Sequence, residues 1–181
     1  MRYAILALFA AGPAFATSCP ESPDHSHALS KLITEAREAT DDQAGRAVSS
    51  KMWELWAEAP DAKSQELLDE AMSRRESYDY DGAMKAADAL VTYCPDYAEG
   101  YNQRAFVHFL KQDYEAALPD LERTVELSPR HVAALAGQAL TYAALGRNAE
   151  AALSLRAALN LNPWLNERHL LPQLENDEQE L

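Results

Sequence analysis

Apolar and polar positions alternate at helical spacing along most of this chain. Ala98–Lys111, Tyr114–Leu127, Val132–Leu145 and Ala149–Leu161 each carry an apolar stripe, as expected where residues three and four apart share a helix face. Ser26–Ala39 and Gln43–Ala59 read as another helix pair, closed by Pro60-Asp61. The helices are punctuated at a fixed interval. Pro95, Pro129 and Pro163 stand 34 residues apart. Each should end a helix, because proline lacks an N–H and disfavours helix in the residue before it.

Small residues keep the same interval. Ala71, Ala105 and Ala139 fall in the first helix of each unit, and Ala83, Ala117 and Ala151 early in the second. At those places a small side chain lets the paired helices approach. Ala87, Leu121 and Leu155, four positions on, fill the space between units, the first only weakly. Asp79 and Asp113 stand where an aspartate can cap the second helix, and Gly146 ends a first helix. Pro119 falls inside an expected helix and should remove one backbone bond, bending it locally. A period of this length marks a solenoid of helix–turn–helix units.

These residues and their spacing resemble the tetratricopeptide repeat (TPR) family over roughly residues 64–163, as three repeats. The departures are local: the second repeat has Tyr101 at the usual first aromatic and Arg104 where leucine is common, and Leu135 and Gln138 occupy those two positions in the third repeat. The expected fold is all-α, a helix–turn–helix solenoid of three TPR repeats (62–163) with an N-terminal helix pair (26–61) and a C-terminal capping helix (164–174). The N-terminal pair reads either as a degenerate fourth repeat or as an end cap, with Trp53 and Trp56 on one face covering the open end of the stack. Trp164, Leu165, Leu170 and Leu171 should cover the third repeat, and the acidic segment 175–181 reads as a disordered tail.

The first residues follow another logic. Arg2 precedes an unbroken apolar run, Ala4 to Ala11, then Gly12-Pro13 and the small-residue site Ala14-Phe15-Ala16. This is the layout of a signal peptide cut after Ala16, and the run is well short of the roughly 20 residues that span a bilayer. The mature protein is expected in the periplasm or secreted, without membrane insertion, beginning with a flexible leader (17–25). Ala16 and Ser18 before Cys19 depart from a lipoprotein signal. Cys19 and Cys94 are an even pair in an oxidising compartment. A disulfide between them and two unpaired thiols are both open, since geometry decides.

The formal charge is −13, and removing Arg2 with residues 1–16 makes it −14. A surface this acidic repels phosphate and anionic lipid, so no nucleic-acid role is expected. No catalytic motif is present: no His-Glu-x-x-His, nucleophile elbow, phosphate-binding glycine loop or Cys-x-x-Cys. The chain reads as no enzyme and as needing no cofactor. His25, His27, Asp24 and Cys19 cluster near the mature N-terminus and could bind a transition metal, against the plainer reading of a solvated leader.

The TPR resemblance implies a concave groove lined by the first helix of each pair, accepting an extended peptide or a helix. Its lining would come from Leu68, Met72 and Arg75, then Glu99, Asn102, Phe106, Phe109 and Leu110, then Leu140. Phe106 and Phe109 are the natural anchors. Some family members hold the C-terminal carboxylate of chaperones with Lys, Asn and Arg; the matching positions here are Leu68, Met72, Gln103, Ala133 and Gly137, so that clamp is missing. The expected function is a protein-binding scaffold or adaptor of unknown partner. The alternative is a small-ligand or metal carrier using the histidine cluster or a groove pocket.

Overall fold

The structure is a computed structural model that describes residues 18–179. The described residues form α1 (Ser26–Glu38), α2 (Asp42–Trp56), α3 (Ala62–Glu76), α4 (Tyr80–Tyr93), α5 (Ala98–Leu110), α6 (Tyr114–Leu127), α7 (Val132–Ala144), α8 (Asn148–Leu161), a 3₁₀ turn (Asn166–Leu170) and α9 (Leu171–Gln179). The expected signal peptide, 1–16, lies outside the described residues. Among the described residues no helix is long and apolar enough to cross a membrane.

The partners α3–α4, α5–α6 and α7–α8 pack most extensively, and α4–α5 and α6–α7 join successive pairs. All six of the periodic alanines named above are buried at these seams, as are Ala87, Leu121 and Leu155. The turn inside each pair repeats the period in its backbone: Tyr78 (φ 62°), Gln112 (φ 62°) and Gly146 (φ 71°), 34 residues apart, all take the left-handed conformation. Glycine adopts it without penalty, whereas Tyr78 and Gln112 carry a Cβ that crowds the carbonyl.

Local chemistry sets several helix starts. Asp79 accepts from the Gly82 N–H at 3.0 Å, but Asp113 makes no side-chain cap and instead lies 3.3 Å from His108 Nδ1. Asp61 and Ser64 form a reciprocal capping box at α3. Pro119 sits at an exposed position of α6 without ending it. Arg104, in place of the common leucine, forks onto Asp120 at 2.7 and 2.6 Å and reaches Asp88 at 3.0 Å. It thus ties α4, α5 and α6 together by charge where the leucine would do so by packing, and the bond to Asp120 holds the guanidinium more firmly protonated.

The N-terminal pair is not a stacked fourth repeat. It lies as a strap along the edge formed by the proline turns of the array. Leu29, Leu32, Ile33, Ala36, Val48 and Met52 form one cluster with Val132, joined by Leu161 and Leu165 of the third repeat's end. The strap meets each turn in register. At the first, Cys19 is disulfide-bonded to Cys94, with Cα atoms 5.1 Å apart, and the Tyr97 hydroxyl donates to the Trp56 carbonyl at 2.7 Å. At the second, His131 stacks on Trp56 with centroids 4.2 Å apart, and Arg130 donates to Ser30 Oγ at 2.7 Å. At the third, Asn162 donates to Ser49 Oγ at 2.7 Å and Trp164 Nε1 to the Ala36 carbonyl at 3.0 Å. Trp164 lies so close to α2 that a Cβ at Gly45 would collide with it.

Three expectations change accordingly. Trp53 and Trp56 do not cover the end of the stack together: Trp56 faces the turn edge, while Trp53 remains 42% exposed. The open end needs no apolar cover, because the outward positions of α3 (Lys63, Glu66, Asp69, Glu70, Ser73, Arg74) are polar and exposed. At the other end Leu174, with Leu170 and Leu171, packs on Ala139, Ala151, Ala152 and Leu155. Arg156 bonds Glu175 at 2.9 Å. The acidic segment expected as a disordered tail therefore continues α9 to Gln179, and Glu180 and Leu181 lie outside the described residues. Likewise the leader is tied down, at Cys19 by its disulfide and at Asp24, which accepts from the Ser26 N–H at 2.9 Å.

Candidate functional site: a groove on the first helices

The first helices α3, α5 and α7 neighbour one another. A cavity of about 190 Å³ opens between α5 and α7. Asn102, Phe106 and Phe109 line it from α5, with Ala133, Ala136, Gly137, Leu140 and Thr141 from α7 and Glu167 from the 3₁₀ turn. Of the groove residues expected from sequence, this brings together Asn102, Phe106, Phe109 and Leu140. The small residues of α7 keep the slot open, because larger ones would fill it.

The two aromatic anchors differ. Phe106 is 43% exposed. Its ring carries the Arg75 guanidinium 4.6 Å from the centroid, and Arg75 donates to Gln103. Burial pulls the Arg75 pKa down, while Glu76 and Glu99 support its charge. Phe109 is more covered, set edge-on to Tyr114 at 5.3 Å. Met72 is half-buried beside Leu68 and Tyr97, and Leu110 is half-buried off the cavity.

Two expected groove residues belong to the interior instead. Leu68 is fully buried with Leu90, Cys94 and Tyr97, beneath Cys19, Ala57 and Ala59. The disulfide brings the leader over this part of α3, an effect the repeat pattern does not encode. Glu99 is 1% exposed and accepts from His131 Nε2 at 2.8 Å and from Asn102 Nδ2 and Gln103 Nε2. His131 Nδ1 accepts the Ala134 N–H at 3.2 Å, capping α7. That bond assigns the ring proton to Nε2, which donates to Glu99. Glu99 and His131 are thus a buried joint between α5 and α7.

A second cavity, of about 280 Å³, lies where the leader and the end of α2 meet the first two proline turns, lined by His25, Trp56, Glu58, Tyr97 and Arg130 among others. The proposed metal cluster does not assemble there. Cys19 is consumed by its disulfide, His25 faces Glu58 at 3.2 Å, and among the described residues no group of three or more His, Cys, Asp or Glu could hold a metal.

Comparison with known proteins agrees with this architecture. Residues 98–131 and 132–163 each match the profile of the tetratricopeptide repeat. A TPR repeat-containing protein of Rhizobium etli is 26% identical over 129 residues, covering 71% of this chain and 62% of that protein. A tetratricopeptide repeat protein 36 homolog of Nematostella vectensis is 36% identical over 75 residues, 41% of this chain and 40% of that one. The chain thus spans less than two thirds of the length of these relatives. Among solved structures, the first TPR of Spaghetti (RPAP3) bound to an HSP90 peptide superposes with a TM-score of 0.63 at 19% identity, covering 65% of this chain and 94% of that one. The MamA RS-1 double mutant gives 0.59 at 18% identity, with 88% of each chain covered. With the 34-residue register of its seams, turns and prolines, residues 98–163 are identified as two tetratricopeptide repeats, in a chain whose fold is that of a tetratricopeptide-repeat solenoid.

Proposed function

We propose that the protein is a non-catalytic scaffold that binds a segment of another protein in the groove of its first helices, in the periplasm or another exported compartment. The observation that carries this reading is the slot between α5 and α7, where a half-exposed Phe106 faces a floor of Ala133, Ala136 and Gly137. An exposed aromatic beside an unfilled apolar slot gains by burial against a partner. Two structurally similar domains, of RPAP3 and of yeast Sti1, are described with HSP90 peptide and pHsp70. Here Leu68, Met72, Gln103, Ala133 and Gly137 stand where a carboxylate clamp would need Lys, Asn and Arg, which argues for a different class of ligand. Export is supported by the layout of residues 1–16 and by the Cys19–Cys94 bond, since disulfides persist in oxidising compartments.

The test is capture of partners from the native cell by the tagged mature protein, with cross-linking, against a Phe106→Ala variant. A protein held by the wild type and lost by a folded variant supports the groove. A partner held equally by both places binding elsewhere. Mass analysis of the exported chain should find a new N-terminus at Thr17, and an uncut chain in membranes would overturn the export reading.

A further inference from the structure

The lining of the α5–α7 slot also carries information about what fills it, on the premise that this groove is the binding site. At about 190 Å³ it is smaller than the ~300–1,000 Å³ typical of small-molecule pockets, which is the scale of one bulky side chain. Its walls are apolar except at three places. Thr141 turns its hydroxyl onto the Gly137 carbonyl at 2.7 Å. Asn102 donates its amide N–H groups to buried Glu99, and its carbonyl oxygen makes no hydrogen bond among the described residues. Glu167 is the charged group on the lining, and among the described residues it has no hydrogen bond or ion pair.

The nearby cation is already engaged. Arg75 bonds Gln103, lies over Phe106 and is 3.7 Å from Glu76. The slot therefore offers an unpaired carboxylate and a carbonyl acceptor beside an apolar hole, on a chain of formal charge −13. A partner carboxylate there would meet Glu167 unscreened by any free cation of the lining, whereas a lysine or arginine would complete it.

We infer that the groove's ligand is a basic-apolar protein segment, in which a leucine-sized side chain enters the slot between Phe106 and Leu140 while an adjacent Lys or Arg pairs with Glu167. The sequence of the partner segment is thereby restricted in two ways, by volume and by charge sign.

The experiment uses the isotopically labelled mature protein and three blocked peptides: acetyl-Gly-Lys-Leu-Lys-Gly-amide and its Gln-Leu-Gln and Glu-Leu-Glu counterparts. Affinity and site are read together from amide shifts in an NMR titration. The lysine peptide should bind about two- to five-fold more tightly than the glutamine peptide, the scale of one exposed ion pair, and the glutamate peptide least. Shifts should centre on Phe106, Gly137 and Leu140, and the Glu167→Lys variant should reverse the order of the lysine and glutamate peptides. Equal binding of all three at the slot overturns the charge assignment and leaves the groove reading standing. Lysine-peptide binding indifferent to Glu167→Lys, or with shifts outside the slot, shows attraction to the acidic surface only and overturns the inference. Failure of every peptide to bind overturns it as well, while partner capture with Phe106→Ala still decides the groove separately.

Discussion

Breaking the Cys19–Cys94 bond should release much of the strap's hold on the array. The bond closes a loop with a sequence separation of 75, for which the loop-entropy relation gives about 4.5 kcal/mol at room temperature. Cys19→Ala is the cleanest perturbation, because it removes the cross-link while Cys94 keeps its place among Leu68, Leu90 and Tyr97. With an m-value of about 2 kcal/mol/M in urea, the midpoint should fall by about 2 M. Tryptophan fluorescence reports the strap directly, through Trp56 on His131 and Trp164 on α1, while circular dichroism reports the array. Both transitions should move together, since the strap touches all three proline turns. A shift below about 0.5 M, a small fraction of the loop-entropy figure, would show that the bond does not hold the strap, and two free thiols titrated in the native protein would show that it does not form.

Ala117 is fully buried against Ala105, Leu121 and Ala134, so Ala117→Leu should overfill that seam and cost about 1–3 kcal/mol; unchanged thermal stability would contradict the packing described. Gln112→Gly should stabilise by about 0.5–1 kcal/mol, as relief of left-handed strain of ~1–2 kcal/mol outweighs the entropic cost of glycine. A lower melting temperature would show that the turn carries no strain. The backbone N–H of Ser64, then the hydroxyl of Tyr93, hold the Asp61 carboxyl below its usual range. With the folded pKa depressed, this stabilisation is present above the unfolded value of about 4 and is lost as the pH falls through the folded one. Asp61→Asn keeps a capping group without a titrating one, so it should flatten the acid limb of stability below about pH 4. An unchanged limb would assign the acid sensitivity to other carboxylates.

The array was legible because its determinants are local. Ala71, Ala105 and Ala139, the second alanine series and the prolines all repeat at one interval, and each acts within its own helix pair. The strap was legible only as two helices, because its docking rests on contacts far apart in sequence, such as Arg130 with Ser30, Asn162 with Ser49 and Trp164 with Ala36. A signal for it does exist. Tyr97, His131 and Leu165 share the 34-residue register and all three meet the strap. Side-chain periodicity places such residues on an edge but does not say what covers it. The groove was half legible for the same reason: α5 and α7 present Asn102, Phe106 and Leu140 as repeat geometry requires. Leu68 lies under the disulfide-tethered leader, and Glu99 is drawn inward by His131, 32 positions away in the chain.

Photo-crosslinking in the native cell reads out whether the groove of the first helices receives a protein segment. A photoreactive side chain would replace Phe106 on the slot in one strain and Leu153, 62% exposed on α8, in another. A discrete cross-linked partner is expected from position 106 and none from position 153. Cross-links from 153 alone, or the same species from both, would contradict binding in the groove.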